Sequence, residues 1–120
     1  MPASDPKDAS VCTMDNVQAL DFLHNCMKES LRQYPPLIML MRQVHTPLRV
    51  GKFTVPVGHY VFAPLAVSMN LPDTAPDAVF KAPERYDPDR YAADRPGGKE
   101  DARPFNFCAF GGGKHGCLGE

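Results

Sequence analysis

The stretch Phe110-Gly111-Gly112-Gly113-Lys114-His115-Gly116-Cys117-Leu118-Gly119-Glu120 determines how the rest of this 120-residue chain is interpreted. Glycines surround its single cysteine, Cys117, so the backbone there can approach a bulky, flat group closely or turn through left-handed conformations. A glycine-rich turn also presents backbone amides, which stabilise the negative charge of a thiolate. Lys114 and His115 add positive or hydrogen-bond-donating groups beside the cysteine. The loop is therefore a candidate ligand site.

Three other interpretations of this loop have to be weighed. A phosphate-binding loop needs a glycine five positions before Gly113 and a serine or threonine after the lysine, where this chain has Cys108 and His115. A zinc site made of Cys108, His115 and Cys117 has spacings typical of no common zinc module, and its fourth ligand is unassigned. A loop around a buried, inert cysteine is the interpretation that composition alone favours.

The pattern Phe110-x-x-Gly113-x-His115-x-Cys117-x-Gly119 resembles the haem-binding signature of the cytochrome P-450 superfamily, the haem-thiolate monooxygenases. Histidine stands where many members carry arginine. The resemblance implies haem b (iron protoporphyrin IX) as the cofactor, with Cys117 as the catalytic residue and axial metal ligand. It also implies six cofactor-binding residues: Arg42, Phe110, Gly113, His115, Cys117 and Gly119. Among these, His115 and Arg42 would reach the haem propionates.

A pair of charged residues lies on the first predicted helix. Apolar residues at three- and four-residue steps predict this helix from about Asp15, its expected N-cap, to Tyr34. Glu29 and Arg32 share one face of it, and such a pair is usually solvated and contributes ~0.2–0.5 kcal/mol. In the superfamily that the chain resembles, Glu-x-x-Arg instead lies behind the haem in a buried network with a second arginine. Burying these charges stabilises only if every member is paired.

Two arginines are candidates for the third member of that network. Arg85 lies in Pro83-Glu84-Arg85-Tyr86, and Arg90 lies in Pro88-Asp89-Arg90-Tyr91. The full run resembles the stretch of the superfamily in which the later copy is functional, so we choose Arg90. Tyr91 stands where phenylalanine is more usual, and its hydroxyl adds a polar group that must be satisfied.

The middle of the chain predicts short extended segments. Leu37-Ile38-Met39-Leu40-Met41 is too short for a helix, and in an extended backbone Leu37, Met39 and Met41 would point the same way. Phe53-Thr54-Val55 and Tyr60-Val61-Phe62-Ala63 predict a hairpin with its turn at the intervening proline and glycine.

The expected fold is therefore α+β, mainly the α-rich cytochrome P-450 fold. This chain would be a fragment with one long helix, a small β-hairpin region and an irregular meander ending in the cysteine loop. The 13 prolines agree with so much irregular chain. Residues 1–13 are expected to be disordered or frayed, and residues 14–120 to form the partial domain.

Within the superfamily, the segments Tyr34–Arg42 and onward from Phe53 resemble sterol 14α-demethylases, and the cysteine loop is most similar to plant and green-algal members acting on obtusifoliol-type sterols. This implies removal of a sterol 14α-methyl group with O2 and electrons from an NADPH–cytochrome reductase. Leu37, Met39 and Met41 would line the sterol pocket, with plain core packing as the alternative. A P-450 with a non-sterol substrate and a non-catalytic metal-binding or interaction module are the alternative functions.

Bulk properties limit partners and compartment. The net charge of -1 provides no basic field for nucleic acid, and no run approaches the ~18–20 apolar residues of a membrane span. The four cysteines form no C-x-x-C pair, which favours a reducing compartment. The resemblance implies the cytosolic face of the endoplasmic reticulum membrane, through an anchor upstream of this chain. Because nothing resembles the oxygen-activating helix, we expect the chain alone neither to bind haem stably nor to turn over sterol.

Overall fold

The computed structural model describes residues 13–95 and 103–119. Helix α1 spans Met14–Gln18 and helix α2 spans Asp21–Gln33. The Thr13 side chain caps α1 by accepting a hydrogen bond from the Asn16 amide at 3.3 Å. The expected fraying of residues 1–13 falls, apart from Thr13, outside the described residues.

The predicted single helix with Asp15 as its N-cap is wrong. Asp15 lies in the first turn of α1, because the Thr13 hydroxyl already supplies the cap. The helix also breaks between α1 and α2, where Leu20 leaves helical geometry with a ψ of 69°. The apolar spacing continues across this break, so periodicity alone did not reveal it.

Four short strands in the described part of the chain form two separate antiparallel pairs. Strand β1 (Leu40–Gln43) pairs with β4 (Tyr60–Ala63), and β2 (Leu48–Val50) pairs with β3 (Phe53–Val55). The predicted hairpin between β3 and β4 is therefore wrong. A two-residue turn, Gly51-Lys52, joins β2 to β3, and the φ of 57° at Gly51 suits a tight hairpin.

The remainder of the described chain is mostly irregular. Helix α3 spans Leu65–Ser68, and short 3-10 turns occur at Pro88–Tyr91 and Gly113–His115. One thirteen-residue helix, small antiparallel sheets and a meander match the expected architecture. The meander is the mostly irregular described chain between α3 and the cysteine loop, residues 69–95 and 103–109. Within the described residues, no helix combines the length and apolar character needed to cross a bilayer.

The core combines apolar side chains with a fully buried group of charges. The buried apolar cluster packs α3 and the meander against the start of the cysteine loop, and consists of Leu65, Met69, Phe80, Tyr91 and Ala109. Beside it Glu29, Arg32 and Arg90 are 0% exposed. Buried charges of this kind require complete pairing, which the site geometry provides.

Candidate functional site

The cysteine loop borders a cavity of about 360 Å³. Four leucines bring apolar surface to this cavity: Leu31 from α2, Leu37 from the segment before β1, Leu40 from β1 and Leu65 from α3. The loop contributes Phe110, Gly111, His115 and Cys117 from the facing side. The fold therefore gathers one sulfur and one imidazole at the edge of an otherwise largely apolar space.

Backbone hydrogen bonds hold the loop in shape around the sulfur. The Cys117 amide donates to the Phe110 carbonyl at 2.9 Å, which closes the loop on itself. The Gly119 amide donates to Cys117 Sγ at 3.4 Å. Gly113 has a φ of 70°, a left-handed conformation that glycine adopts without steric cost. Cys117 is a free, exposed cysteine, so its sulfur is available as a ligand and also accepts one backbone amide hydrogen bond.

The cavity gathers some of the residues that the sequence predicts as cofactor- or substrate-binding. Phe110, His115, Cys117 and Leu37 line it. Gly113 and Gly119 belong to the loop and shape it, but their atoms are not part of the lining.

Arg42, Met39 and Met41 lie outside this cavity in the structure. Arg42 lines a neighbouring cavity of about 290 Å³, and its Nη1 donates to the Met41 carbonyl at 2.8 Å. Met39 and Met41 are 42% and 54% exposed. Strand alternation accounts for Met41, because Leu40 faces the cysteine-loop cavity and adjacent residues of a strand point to opposite sides.

Two arginines share one buried carboxylate, that of Glu29. Glu29 Oε1 accepts hydrogen bonds from Arg32 Nη2 at 2.9 Å and from Arg90 Nε at 3.1 Å. Its Oε2 accepts from Arg32 Nε at 2.9 Å and from the Tyr91 hydroxyl at 3.0 Å. Arg90 is therefore the arginine of the two tandem motifs that contacts Glu29, while the Arg85 side chain is exposed.

The two guanidinium groups also bond to the irregular backbone around them. Arg32 donates to the Met69 and Pro83 carbonyls, and Arg90 donates to the Lys81 and Arg85 carbonyls. These carbonyls belong to segments without regular backbone hydrogen bonding. The arginines therefore supply the donors that backbone amides would supply in a strand or helix. The network thus ties α2 to the meander.

Asn70 and Tyr91 join this network although no site role was predicted for them. Asn70 Oδ1 accepts from Arg32 Nη1 at 2.8 Å, and its Nδ2 donates to the Arg32 and Ala66 carbonyls. Nothing local in the sequence marks Asn70. Tyr91 did carry a signal, because a buried phenol needs a hydrogen-bond partner.

The environment shifts the pKa values of three members of the site. Burial acts to raise the pKa of Glu29, but the hydrogen bond from Arg32, the Asp87 amide and the charges of both arginines bring it below its usual 4.5. Burial also acts to raise the pKa of Asp87, and the hydrogen bond and charge of Arg95 bring it below 3.8. Burial, together with the charge and hydrogen bond of Glu29, raises the pKa of Tyr91 well above 10.0. At neutral pH, Glu29 is therefore ionised and Tyr91 is a neutral donor.

The loop does not form the zinc site considered from its composition. Across residues 13–95 and 103–119, no three histidine, cysteine or carboxylate side chains come together closely enough to hold a metal ion. The Cys108 thiol is turned to the Phe105 carbonyl at 2.7 Å instead.

The donor set does suit a haem. A single soft sulfur ligand at the edge of a largely apolar cavity matches a planar apolar macrocycle whose iron needs one protein ligand. Cys117 would hold the iron, Leu31, Leu40 and Phe110 would contact the ring, and His115 would donate to a carboxylate at its edge.

Comparison with known proteins agrees with this geometry. The sequence model of the family "Cytochrome P450" matches residues 6–120. An obtusifoliol 14-alpha demethylase of Triticum aestivum is 47% identical over 113 residues, which cover 88% of this chain and 23% of the relative. A sterol 14-demethylase of Arabidopsis thaliana is 45% identical, with coverages of 88% and 22%. The chain thus spans less than a quarter of the length of these relatives.

A solved structure supports the fold independently of the curated relatives. The structure of a retinoic acid-bound cyanobacterial CYP120A1 matches with a TM-score of 0.73 at 29% sequence identity, covering 90% of this chain and 24% of that one. These comparisons confirm the resemblance and the fold class stated from the sequence.

Proposed function

The chain belongs to the cytochrome P450 family, and from that membership we propose that it is part of a haem-thiolate monooxygenase that demethylates a sterol at C14. A haem held by a cysteine thiolate activates molecular oxygen, because the thiolate pushes electron density toward the iron and favours O–O cleavage. The observation that carries this proposal is the position of Cys117. Its sulfur borders an apolar cavity and accepts a hydrogen bond from the Gly119 amide.

The residues of the loop have distinct roles in this proposal. Cys117 is the proposed catalytic residue and would hold the iron of the cofactor, haem b, through its sulfur. Phe110 would contact the macrocycle, while Gly113 and Gly119 would let the backbone turn close to it. His115 would donate to one propionate. Arg42 would reach the other only by leaving the Met41 carbonyl that its Nη1 contacts here.

Glu29, Arg32 and Arg90 act through structure in this proposal. Their network bonds to the meander that runs between α3 and the cysteine loop, and so it fixes the backbone from which the loop projects. A charge removed from the network would leave buried partners unpaired, which typically costs 3–5 kcal/mol.

The proposed substrate is a sterol, and the segment before and within β1 provides the apolar residues for it. Leu37 lines the same cavity as Cys117, so it is the member of the predicted set closest to the candidate cofactor site. Met39 and Met41 present exposed apolar side chains from the same segment, which suits contact with an apolar substrate. Electrons would come from NADPH through a separate reductase, at the cytosolic face of the endoplasmic reticulum membrane.

A cytochrome P450 with a non-sterol substrate is the second candidate. It is favoured by the structural match, because the matched CYP120A1 is described with retinoic acid bound. Titrating the haem-loaded whole monooxygenase, of which this chain is proposed to be part, with an obtusifoliol-type sterol and with retinoic acid separates the two. A spectral change with the sterol alone supports 14α-demethylation, and one with retinoic acid alone supports the second candidate.

Reconstitution with haemin tests the cofactor proposal. The whole monooxygenase of which this chain is proposed to be part is loaded with haemin, reduced and exposed to carbon monoxide, and the Soret band is recorded. A strongly red-shifted band is expected for a thiolate-bound haem. Cys117→Ser should abolish this band, because a serine hydroxyl does not replace the thiolate.

Cys108→Ser is the matched control for this experiment. Cys108 lies in the segment leading into the same loop, yet its thiol bonds to the Phe105 carbonyl and its side chain is not part of the cavity lining. The red-shifted band should survive this change. A band lost equally in both variants, or retained in Cys117→Ser, contradicts Cys117 as the ligand.

A further inference from the structure

We infer that Tyr91 is a positioning residue, which couples the buried Glu29 network to the loop that carries Cys117. It touches neither the sulfur nor the candidate cofactor cavity, and acts through the residues between them. Its importance for catalysis rests on the proposed function. The coupling itself is a property of this chain and can be measured without any cofactor.

The hydroxyl of Tyr91 completes the coordination of Glu29. Oε1 of that carboxylate accepts three hydrogen bonds, from Arg32, Arg90 and the Asp87 amide. Oε2 accepts two, from Arg32 Nε and from the Tyr91 hydroxyl. Without the phenol, Oε2 would keep a single hydrogen bond, from Arg32 Nε, in a fully buried position.

The ring of Tyr91 begins an aromatic path toward the cysteine loop. Its centroid lies 6.2 Å from that of Phe107 in an edge-on arrangement with an interplanar angle of 80°. The Phe107 centroid lies 6.3 Å from that of Phe110. Both distances fall within the 4.5–7 Å range in which aromatic pairs attract each other. Phe110 then lines the cavity beside Cys117, and its carbonyl accepts the Cys117 amide hydrogen at 2.9 Å.

A lysine packs over the first half of this path. The Lys28 ammonium is 4.7 Å from the Tyr91 centroid and 5.2 Å from that of Phe107. A cation at this range is attracted to the face of an aromatic ring, so Lys28 favours the arrangement in which both rings stay together. Lys28 directly precedes Glu29 on α2, and the same helix therefore contacts Tyr91 at its hydroxyl and at its ring.

Tyr86 provides a matched comparison. Its hydroxyl also bonds to α2, donating to the Cys26 carbonyl at 2.8 Å with Ser30 Oγ 3.2 Å away. Tyr86 is 47% exposed, whereas Tyr91 is 3% exposed. Replacing either tyrosine with phenylalanine removes one hydroxyl bonded to the same helix, but only Tyr91 also contacts Phe107.

Hydrogen exchange measured by mass spectrometry on the 120-residue chain tests the coupling. The loop peptide 105–119 contains the Cys117 amide, and the peptide 21–33 reports on α2. In Tyr91→Phe we expect exchange in the loop to accelerate about tenfold and exchange in α2 to accelerate no more than about threefold, because the loop depends on the path while the helix keeps its own ladder. Tyr86→Phe should leave loop exchange within about twofold of the parent chain.

Phe107→Leu tests whether Tyr91 acts on the loop through the aromatic path or whether Tyr91 and Phe107 affect loop exchange independently. It interrupts the aromatic contacts without touching Glu29, and should accelerate loop exchange to a similar degree as Tyr91→Phe. If the residues act in series, the double variant should exchange no faster than about the faster single variant. Three results would each overturn the inference. The accelerations of loop exchange in the two single variants could multiply in the double variant, or Tyr91→Phe could accelerate exchange equally in the loop and in α2. The loop of the parent chain could also show no protection from exchange. A missing haem spectrum would count against the proposed function and leave this result unaffected.

Discussion

Arg90 Nε donates to Glu29 Oε1 at 3.1 Å, and this contact joins two residues that lie 61 positions apart in the chain. Both side chains are fully buried. Nη1 of Arg90 donates to the Lys81 carbonyl and Nη2 donates to the Arg85 carbonyl, so one side chain connects the long helix with two points of the meander. Since the meander lacks a regular ladder, these bonds account for much of its fixed geometry.

Arg90→Ala should destabilise the chain by about 3–5 kcal/mol. The change leaves the buried Glu29 carboxylate with fewer partners and leaves two meander carbonyls without their donor. Urea unfolding followed by circular dichroism measures this loss.

Arg85→Ala is the control for that prediction. Arg85 occupies the competing copy of the motif, its side chain is exposed, and its carbonyl can still accept from Arg90. A change within about 0.5 kcal/mol is expected, as for most surface substitutions. Equal losses in both variants would show that the Arg90 network has no special role in stability.

Acid should weaken the fold through Glu29 and Asp87. The pKa of each carboxyl group is lower in the folded chain than its usual value, 4.5 for Glu29 and 3.8 for Asp87. A depressed pKa contributes stability that is present above the unfolded pKa and lost as pH falls through the folded pKa. The free energy of unfolding should therefore change little between pH 7 and about pH 5.5 through these groups, and should fall progressively below about pH 4.5.

Two amide variants separate the contributions to this acid dependence. Glu29→Gln should be less stable at pH 7 and should show a flatter decline in acid, because its titrating group is gone. Asp87→Asn should remove only the contribution of Asp87, which comes mainly from the pair with Arg95. An unchanged acid slope in Glu29→Gln would contradict Glu29 as a source of the effect.

Sequence reasoning succeeds where the information is local. The spacing of Glu29 and Arg32 places them on one helix face, and the glycines around Cys117 indicate a tight loop. The strand pairing was mispredicted because it depends on which strands meet in space. In the structure β3 pairs with β2 across the Gly51-Lys52 turn, and β4 pairs with β1. The glycine at position 51 indicated a two-residue turn between β2 and β3, but the apolar pattern of the later strands drew the prediction elsewhere.

The missed members of the network have a different explanation. Asn70 lies 38 positions from Arg32, and neither helix periodicity nor motif spacing relates two such residues. Likewise, the direction in which Arg42 and Met41 point depends on the register of β1 against β4, which the sequence of β1 does not contain. Resemblance to a family supplied the choice of Arg90, since two arginines occur in nearly identical motifs.

Asn70→Ala should cost about 1–3 kcal/mol. The amide of Asn70 forms three hydrogen bonds, and its removal leaves the Arg32 and Ala66 carbonyls and Arg32 Nη1 each without one partner. Gln33→Ala provides the comparison, because the Gln33 amide makes an exposed, long contact of 3.4 Å with the Glu84 carbonyl. Urea midpoints of the two variants should differ clearly, and a Gln33 effect as large as that of Asn70 would contradict the role assigned to Asn70.

Gly113→Ala should destabilise the cysteine loop by about 1–2 kcal/mol through backbone strain alone. Gly113 has a φ of 70°, and a Cβ added there would meet nothing within 4 Å, so crowding does not contribute. Gly113→Asn should cost less, because asparagine tolerates the left-handed region better than alanine.

Gly116→Ala is the matched control within the same loop. The φ of Gly116 is -59°, and an added Cβ would lie 3.7 Å from the Gly113 carbonyl oxygen, an ordinary contact. Hydrogen exchange of the loop peptide should rank the losses of protection as Gly113→Ala first, Gly113→Asn second and Gly116→Ala last, and the reverse order would show that conformation at Gly113 does not govern the loop.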